Sequence, residues 1–154
     1  MELEFEYNFE LITKEEIEAS MGDYNIELPH EYRNFLLRYN GGKPLARRFK
    51  TQDGKQSSSI MLFFPLSEHI DPNLLSEYKE LTDEDLILPN LLPIGNDPIE
   101  NKICISLSGD DRGFIYYWSL DMEDIDEDDF SPSYKNVSLI AKSFSEFING
   151  LSTS

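Results

Sequence analysis

The sequence predicts an α+β fold in which helices pack on a mixed, largely antiparallel sheet. Three observations carry this: helix signatures near both ends of the chain, strand-type runs between them, and no strand-helix alternation of the kind that builds a doubly wound sheet. At 154 residues and 17.9 kDa the chain suits one core and is short for two. With no internal repeat or interdomain linker, residues 1–154 read as a single domain.

The first helix is announced by Thr13 and Glu16, spaced as a capping box in which the hydroxyl takes the N–H of Glu16 and the carboxylate reaches back to the N–H of Thr13. Ile12 and Ile17 flank the cap at hydrophobic-staple positions, so a helix is expected from Lys14 to near Gly22. Pro29 suits the first turn of a second helix, whose Tyr32, Phe35, Leu36 and Tyr39 recur at i, i+3, i+4 and i+7. Asn40-Gly41-Gly42 ends it, because glycine takes the left-handed conformation that satisfies the last carbonyls.

From Leu45 to Pro65 the pattern reads as a hairpin about a Gln52-Asp53-Gly54-Lys55 turn, with Ile60 to Phe64 as its stronger arm. Residues 67–90 are polar, with helix starts at Asp71-Pro72 and Thr82 to Asp85 and a thin periodicity in Leu74, Leu75 and Tyr78; one or two short helices are expected. Strands follow at Leu91 to Gly95, Lys102 to Leu107 and Phe114 to Leu120, the last two joined by the turn-forming Ser108 to Gly113. In the last of these Phe114, Tyr116, Trp118 and Leu120 share one face and Ile115 and Tyr117 the other, the mark of a central strand covered on both sides. A final strand, Val137 to Ala141, leads to Ser143 and Glu146, a second capping box, and to Phe144, Phe147, Ile148 and Leu151 at helical spacing.

Ten Phe, eight Tyr and a 40% hydrophobic content exclude a disordered chain. Thirty acidic residues against thirteen basic ones give a formal charge of −17 and a pI near 4.3, which repels phosphate backbones and anionic membranes and favours a basic partner. The N-terminus is acidic where a secretory signal is basic, and no apolar run approaches the ~18 residues of a membrane span, so a cytoplasmic protein is expected. The single cysteine, Cys104, sits in Ile103-Cys104-Ile105, which predicts a buried, inert thiol.

The segment from Leu28 through Pro29, Tyr32, Phe35, Leu36 and Asn40-Gly41-Gly42 resembles the N-terminal signature of the SMI/KNR-like branch of the SUKH superfamily. A second signature is similar as well: Leu92-Pro93-Ile94-Gly95-Asn96-Asp97, Ile103 to Leu107, Gly113 to Trp118, and the closing Ser143-Phe144-Ser145-Glu146-Phe147. The resemblance implies the α+β SUKH fold. It implies further a binding protein and not an enzyme, of the kind bacteria use as immunity proteins against toxins of polymorphic toxin systems. The alternative it leaves open is a regulatory scaffold in cell-wall synthesis or another endogenous pathway. Toxins of such systems are often nucleases, and the charge balance suits a basic one.

The candidate partner-binding residues are Asp121, Glu123, Asp124, Asp126, Glu127, Asp128 and Asp129, seven acids in nine positions directly after the aromatic strand. They can imitate a phosphate track for a basic toxin domain, or they form a solvated loop that aids solubility. An EF-hand is disfavoured because the glycine and the terminal glutamate of that loop are missing at the required spacing. Arg38, Lys43, Arg47, Arg48, Lys50 and Lys55 place six basic residues in eighteen positions, read mainly as partners for the surplus carboxylates. His30 and His69 are isolated, and no spacing supports zinc. Ser106-Leu107-Ser108-Gly109 lacks the flanking glycines of a nucleophile elbow. No catalytic residue, cofactor or metal is assigned.

Overall fold

In the computed structural model, residues 3–119 and 132–153 are described. They form an α+β structure of nine strands and four α-helices among the described residues: β1 Phe5–Tyr7, α1 Lys14–Gly22, α2 His30–Tyr39, β2 Lys43–Pro44, β3 Arg48–Lys50, β4 Ser57–Ser59, β5 Leu62–Phe63, α3 Leu74–Asp83, β6 Leu91–Asn96, β7 Lys102–Ser106, β8 Ile115–Trp118, β9 Val137–Ala141 and α4 Phe144–Asn149. The main sheet runs in the order β5-β6-β7-β8-β9, and two small two-stranded sheets, β1-β2 and β3-β4, stand beside it. Every ladder named here is antiparallel.

The pleat of this sheet divides the core in two. Leu92, Ile94, Ile103, Ile105, Ile115, Tyr117 and Ile140 face the larger cluster, roofed by Ile17 and Met21 of α1, Tyr32, Phe35 and Leu36 of α2, and Phe144, Phe147 and Ile148 of α4. Their sequence neighbours Leu91, Cys104 and Trp118 point the other way, into a smaller cluster with Leu81 and Ile87, against which Tyr116 and Val137 pack. Both faces of β6, β7 and β8 are therefore covered, as the strand patterns required.

The Thr13–Glu16 capping box forms as predicted, with Glu16 N–H donating to Thr13 Oγ1 at 3.1 Å and Thr13 N–H donating to Glu16 Oε1 at 3.2 Å. At α4 only half of the second box forms. Ser143 Oγ accepts from Glu146 N–H at 3.1 Å, but the Glu146 carboxylate accepts from Lys142 N–H at 3.0 Å and from Gln52 Nε2 at 3.2 Å. The pull of Gln52 ties α4 to the β3-β4 turn.

The 45–65 region departs from its expected pairing. The arm opposite Arg48–Lys50 is the polar Ser57–Ser59, whereas Leu62–Phe63 joins the edge of the main sheet beside Gly95 and Asn96. The apolar run went to the larger core, where Ile60, Phe63 and Phe64 are buried. The hairpin itself is fastened to β9 by Gln52, whose N–H donates to Leu139 O and whose Nε2 donates to Ile140 O, both at 2.8 Å. Between 67 and 90 there is one α-helix, α3, started by Asn73 and Ser76 and not by Asp71 or Thr82.

Asn40, not a glycine, is the left-handed cap of α2, at φ 47°. Its buried amide donates to Glu10 O at 2.8 Å and Leu66 O at 3.1 Å and accepts from Leu66 N–H at 2.8 Å. Gly41, at φ 80°, lets the chain pass so close to β5 that a Cβ there would meet Phe63 O at 2.5 Å. The Asn-Gly-Gly signature is thus a clasp joining α2, the N-terminal segment and β5.

Candidate partner-binding surface

The acidic run lies in the stretch of sequence between β8 and β9, followed by a short 3-10 turn at Tyr134–Asn136. Asp121, Glu123, Asp124, Asp126, Glu127, Asp128 and Asp129 lie outside the described residues, but β8 before them and β9 after them are paired. Trp118 pairs with Val137 across β8 and β9, and Ser119 N–H donates to Asn136 O at 3.0 Å. Ser119 and Asn136, described residues before and after the run, are therefore joined to one another.

The flank is secured by a carboxylate that sequence reasoning did not single out. Asp111, in the β7-β8 turn, accepts from Ser106 Oγ at 2.8 Å through Oδ1, and from Tyr116 OH at 2.7 Å and Tyr134 OH at 3.0 Å through Oδ2. Tyr134 also accepts from Asn90 Nδ2 at 2.7 Å, and its ring meets that of Tyr116 edge-on at 5.5 Å. Burial pushes the Asp111 carboxyl up, but the hydroxyls of Tyr116, Ser106 and Tyr134 together outweigh it and hold the group below the usual carboxylate range. Burial, reinforced by Asp111, raises Tyr116 well above an ordinary phenol. The cluster is an anchor: its hydroxyls are engaged with Asp111, and it pins the turn after the acidic run onto the sheet.

A second carboxylate organises the other end of the β6-β7 hairpin. Asp97, 2% exposed, accepts from Ile99 N–H at 3.0 Å and Asn101 N–H at 2.9 Å, and also from Ser58 Oγ at 2.9 Å and Tyr117 OH at 2.5 Å. Among the described residues no buried side-chain nitrogen or oxygen lacks a hydrogen-bond partner. Asp97 closes the Leu92-to-Asp97 stretch of the second signature, but Asp111 was hidden in the sequence among thirty acids, its one signal a place in the turn between two apolar strands.

The remaining candidates occupy separate places. Cys104 is fully buried, and desolvation drives its thiol far above the ordinary range. Ser106 Oγ donates to Asp111 and sits at the end of a covered strand. His30 meets Asn34 at 3.2 Å on α2, while His69 lines a groove on the far side of Asn40. Of the six clustered basic residues, Lys43 pairs with Glu6 at 3.3 Å and Arg38 lies 5.2 Å from the centre of the Tyr39 ring. Among the described residues no three His, Cys, Asp or Glu side chains converge as a metal site, and no helix is long and apolar enough to cross a membrane.

A sequence profile of the SMI1 / KNR4 family (SUKH-1) matches residues 11–150. The chain belongs to that family. The match spans both signatures, including the Asn40 clasp and the closing α4. The SUKH-1 chain is also similar to the SPbeta prophage-derived uncharacterized protein YokK of Bacillus subtilis (strain 168), 28% identical over 153 residues that cover 88% of this chain and 71% of that protein.

Proposed function

We propose that this SUKH-1 protein is an immunity protein that binds a basic toxin domain of a bacterial polymorphic toxin system, holding it by surface complementarity and performing no chemistry on it. The observation that carries this reading is the run of seven carboxylates in nine positions, 121–129, in the stretch of sequence that joins β8 to β9, in a chain of formal charge −17. A cationic protein surface is the complement of such a field, and a nucleic acid or an anionic membrane is repelled by it. Binding without catalysis accords with the employment of the reactive side chains: Cys104 fills the smaller core, and Ser106 and Asp111 hold one another. A nuclease, basic because its substrate is anionic, is the toxin class that fits best. Such an encounter takes place in the cytoplasm, where the toxin acts.

The test is co-expression with the toxin domain encoded by the adjacent reading frame. Protection of the cells, together with a one-to-one complex on size exclusion, is the expected result. Unprotected cells despite folded protein, or capture of several endogenous cell-wall proteins in place of one toxin, would turn the reading toward a regulatory scaffold.

A further inference from the structure

An open groove of about 720 Å³ runs between the N-terminal segment, α1 and the 66–70 loop, well apart from the Asp111 anchor in its lining. Its floor is apolar, with Ile12, Leu66 and Leu75. Its rim carries the exposed carboxylates Glu10, Glu16, Asp23 and Glu68, and Leu11, 62% exposed, stands at its mouth. No lysine or arginine lines it.

No lysine or arginine among the described residues compensates the charge of this rim. Glu6, Glu18, Glu77 and Asp83 each have a lysine or arginine within 4.0 Å. Among the described residues the four rim carboxylates have none, although Glu18 lies on the same helix as Glu16. A solvated acidic face has neither a concave apolar floor nor rigid walls. Here two of the three bounding segments, the N-terminal one and the 66–70 loop, hang on one buried side chain: Asn40 donates to Glu10 O and exchanges hydrogen bonds with Leu66, fixing the distance between them. The groove is therefore formed before any ligand arrives, which removes part of the ordering cost of association.

We infer that this groove takes a cationic segment of a partner protein, with lysine or arginine side chains at the Glu10, Glu16, Asp23 and Glu68 rim and an aliphatic or aromatic side chain on the Ile12–Leu66–Leu75 floor. The inference rests on the reading of the chain as a protein-binding module and adds a second contact to the 121–129 run. The rim sets partner charge and encounter rate, and the floor, once desolvated, sets the lifetime of the contact.

The experiment titrates the full ¹⁵N-labelled chain with a short peptide of alternating lysine and leucine, and with the same peptide carrying glutamate for lysine. Amide shifts concentrated in residues 9–12, 19–23 and 66–70, seen with the lysine peptide alone, are expected. Glu10→Gln with Glu68→Gln should weaken binding by about fivefold or more, while Glu84→Gln with Asp110→Asn, two exposed acids elsewhere, should leave it unchanged. Shifts spread over the acidic surface or centred on 121–129, or equal losses for both double variants, would overturn the inference. The peptide is not the toxin, so the two readings fail separately. A groove that takes the peptide supports the inference even where the neighbouring toxin does not bind, and a bound toxin does not rescue it if the peptide maps elsewhere.

Discussion

The Tyr134 hydroxyl donates to Asp111 Oδ2 at 3.0 Å, linking the turn that follows the acidic run to the turn between β7 and β8. Tyr116 donates to the same oxygen from the strand between them, so one carboxylate gathers three elements. Asp111→Asn removes the charge that these hydroxyls favour, and a loss of about 1–3 kcal/mol at neutral pH is expected. Because the native carboxyl is held below its ordinary value, its contribution is present above pH ~4, where the unfolded group ionises, and fades as the pH falls through the native value. Urea midpoints of the two proteins should therefore differ at pH 7 and converge in acid. A difference that stays constant with pH would show that the charge of Asp111 contributes nothing.

Trp118 is 7% exposed and closes the smaller cluster with Cys104, Leu81, Ile87 and Leu91. Trp118→Ala should cost about 3–5 kcal/mol, the usual range for a buried indole. Tyr116→Phe, which keeps the ring and loses only the bond to Asp111, should cost about 1 kcal/mol. Denaturation midpoints decide this, and an unchanged midpoint for Trp118→Ala would remove the residue from the core.

The Asn40 clasp gives a third prediction. Asn40→Ala abandons three hydrogen bonds, two of them buried, at a left-handed position, so a loss of about 2–4 kcal/mol is expected, with opening of the groove walls. Gly41→Ala should be worse, since its Cβ would meet Phe63 O at 2.5 Å. Hydrogen exchange at the Leu66 amide reports the clasp directly: protection retained in Asn40→Ala would contradict it.

Cys104 should resist thiol reagents in the native state and react at once in denaturant, because burial disfavours the thiolate. Rapid labelling of the folded protein is the contrary outcome.

Local signals carried much of this fold. Thr13 and Glu16 placed the start of α1, and the alternation of Ile115, Tyr116, Tyr117 and Trp118 separated the two core clusters before any contact was known. What failed was tertiary. Ser57–Ser59 has no hydrophobic pattern and becomes a strand because Arg48–Lys50 lies beside it, while Leu62–Phe63 leaves the hairpin for the larger core. The glycines drew attention at residues 40–42, yet the cap and the clasp are Asn40, whose partners Glu10 and Leu66 lie 30 and 26 residues away. The Asp111 anchor depends on Tyr134, 23 residues along, and the groove on three segments that no spacing connects. The acidic run was visible from the order of residues 121–129, but not the pairing of β8 with β9 on either side of it.

The central claim is that the 121–129 carboxylates draw in a basic toxin, and stopped-flow association with the neighbouring toxin domain across a salt series tests it most directly. Exposed charges act chiefly on the encounter rate and are screened beyond a Debye length of about 8 Å at physiological ionic strength. Replacing Asp126, Asp128 and Asp129 by Asn should therefore slow association at low salt and flatten its salt dependence, with little change in dissociation. Equal association rates for the wild type and the triple variant, both folded, would contradict the claim and leave the run a solubility feature.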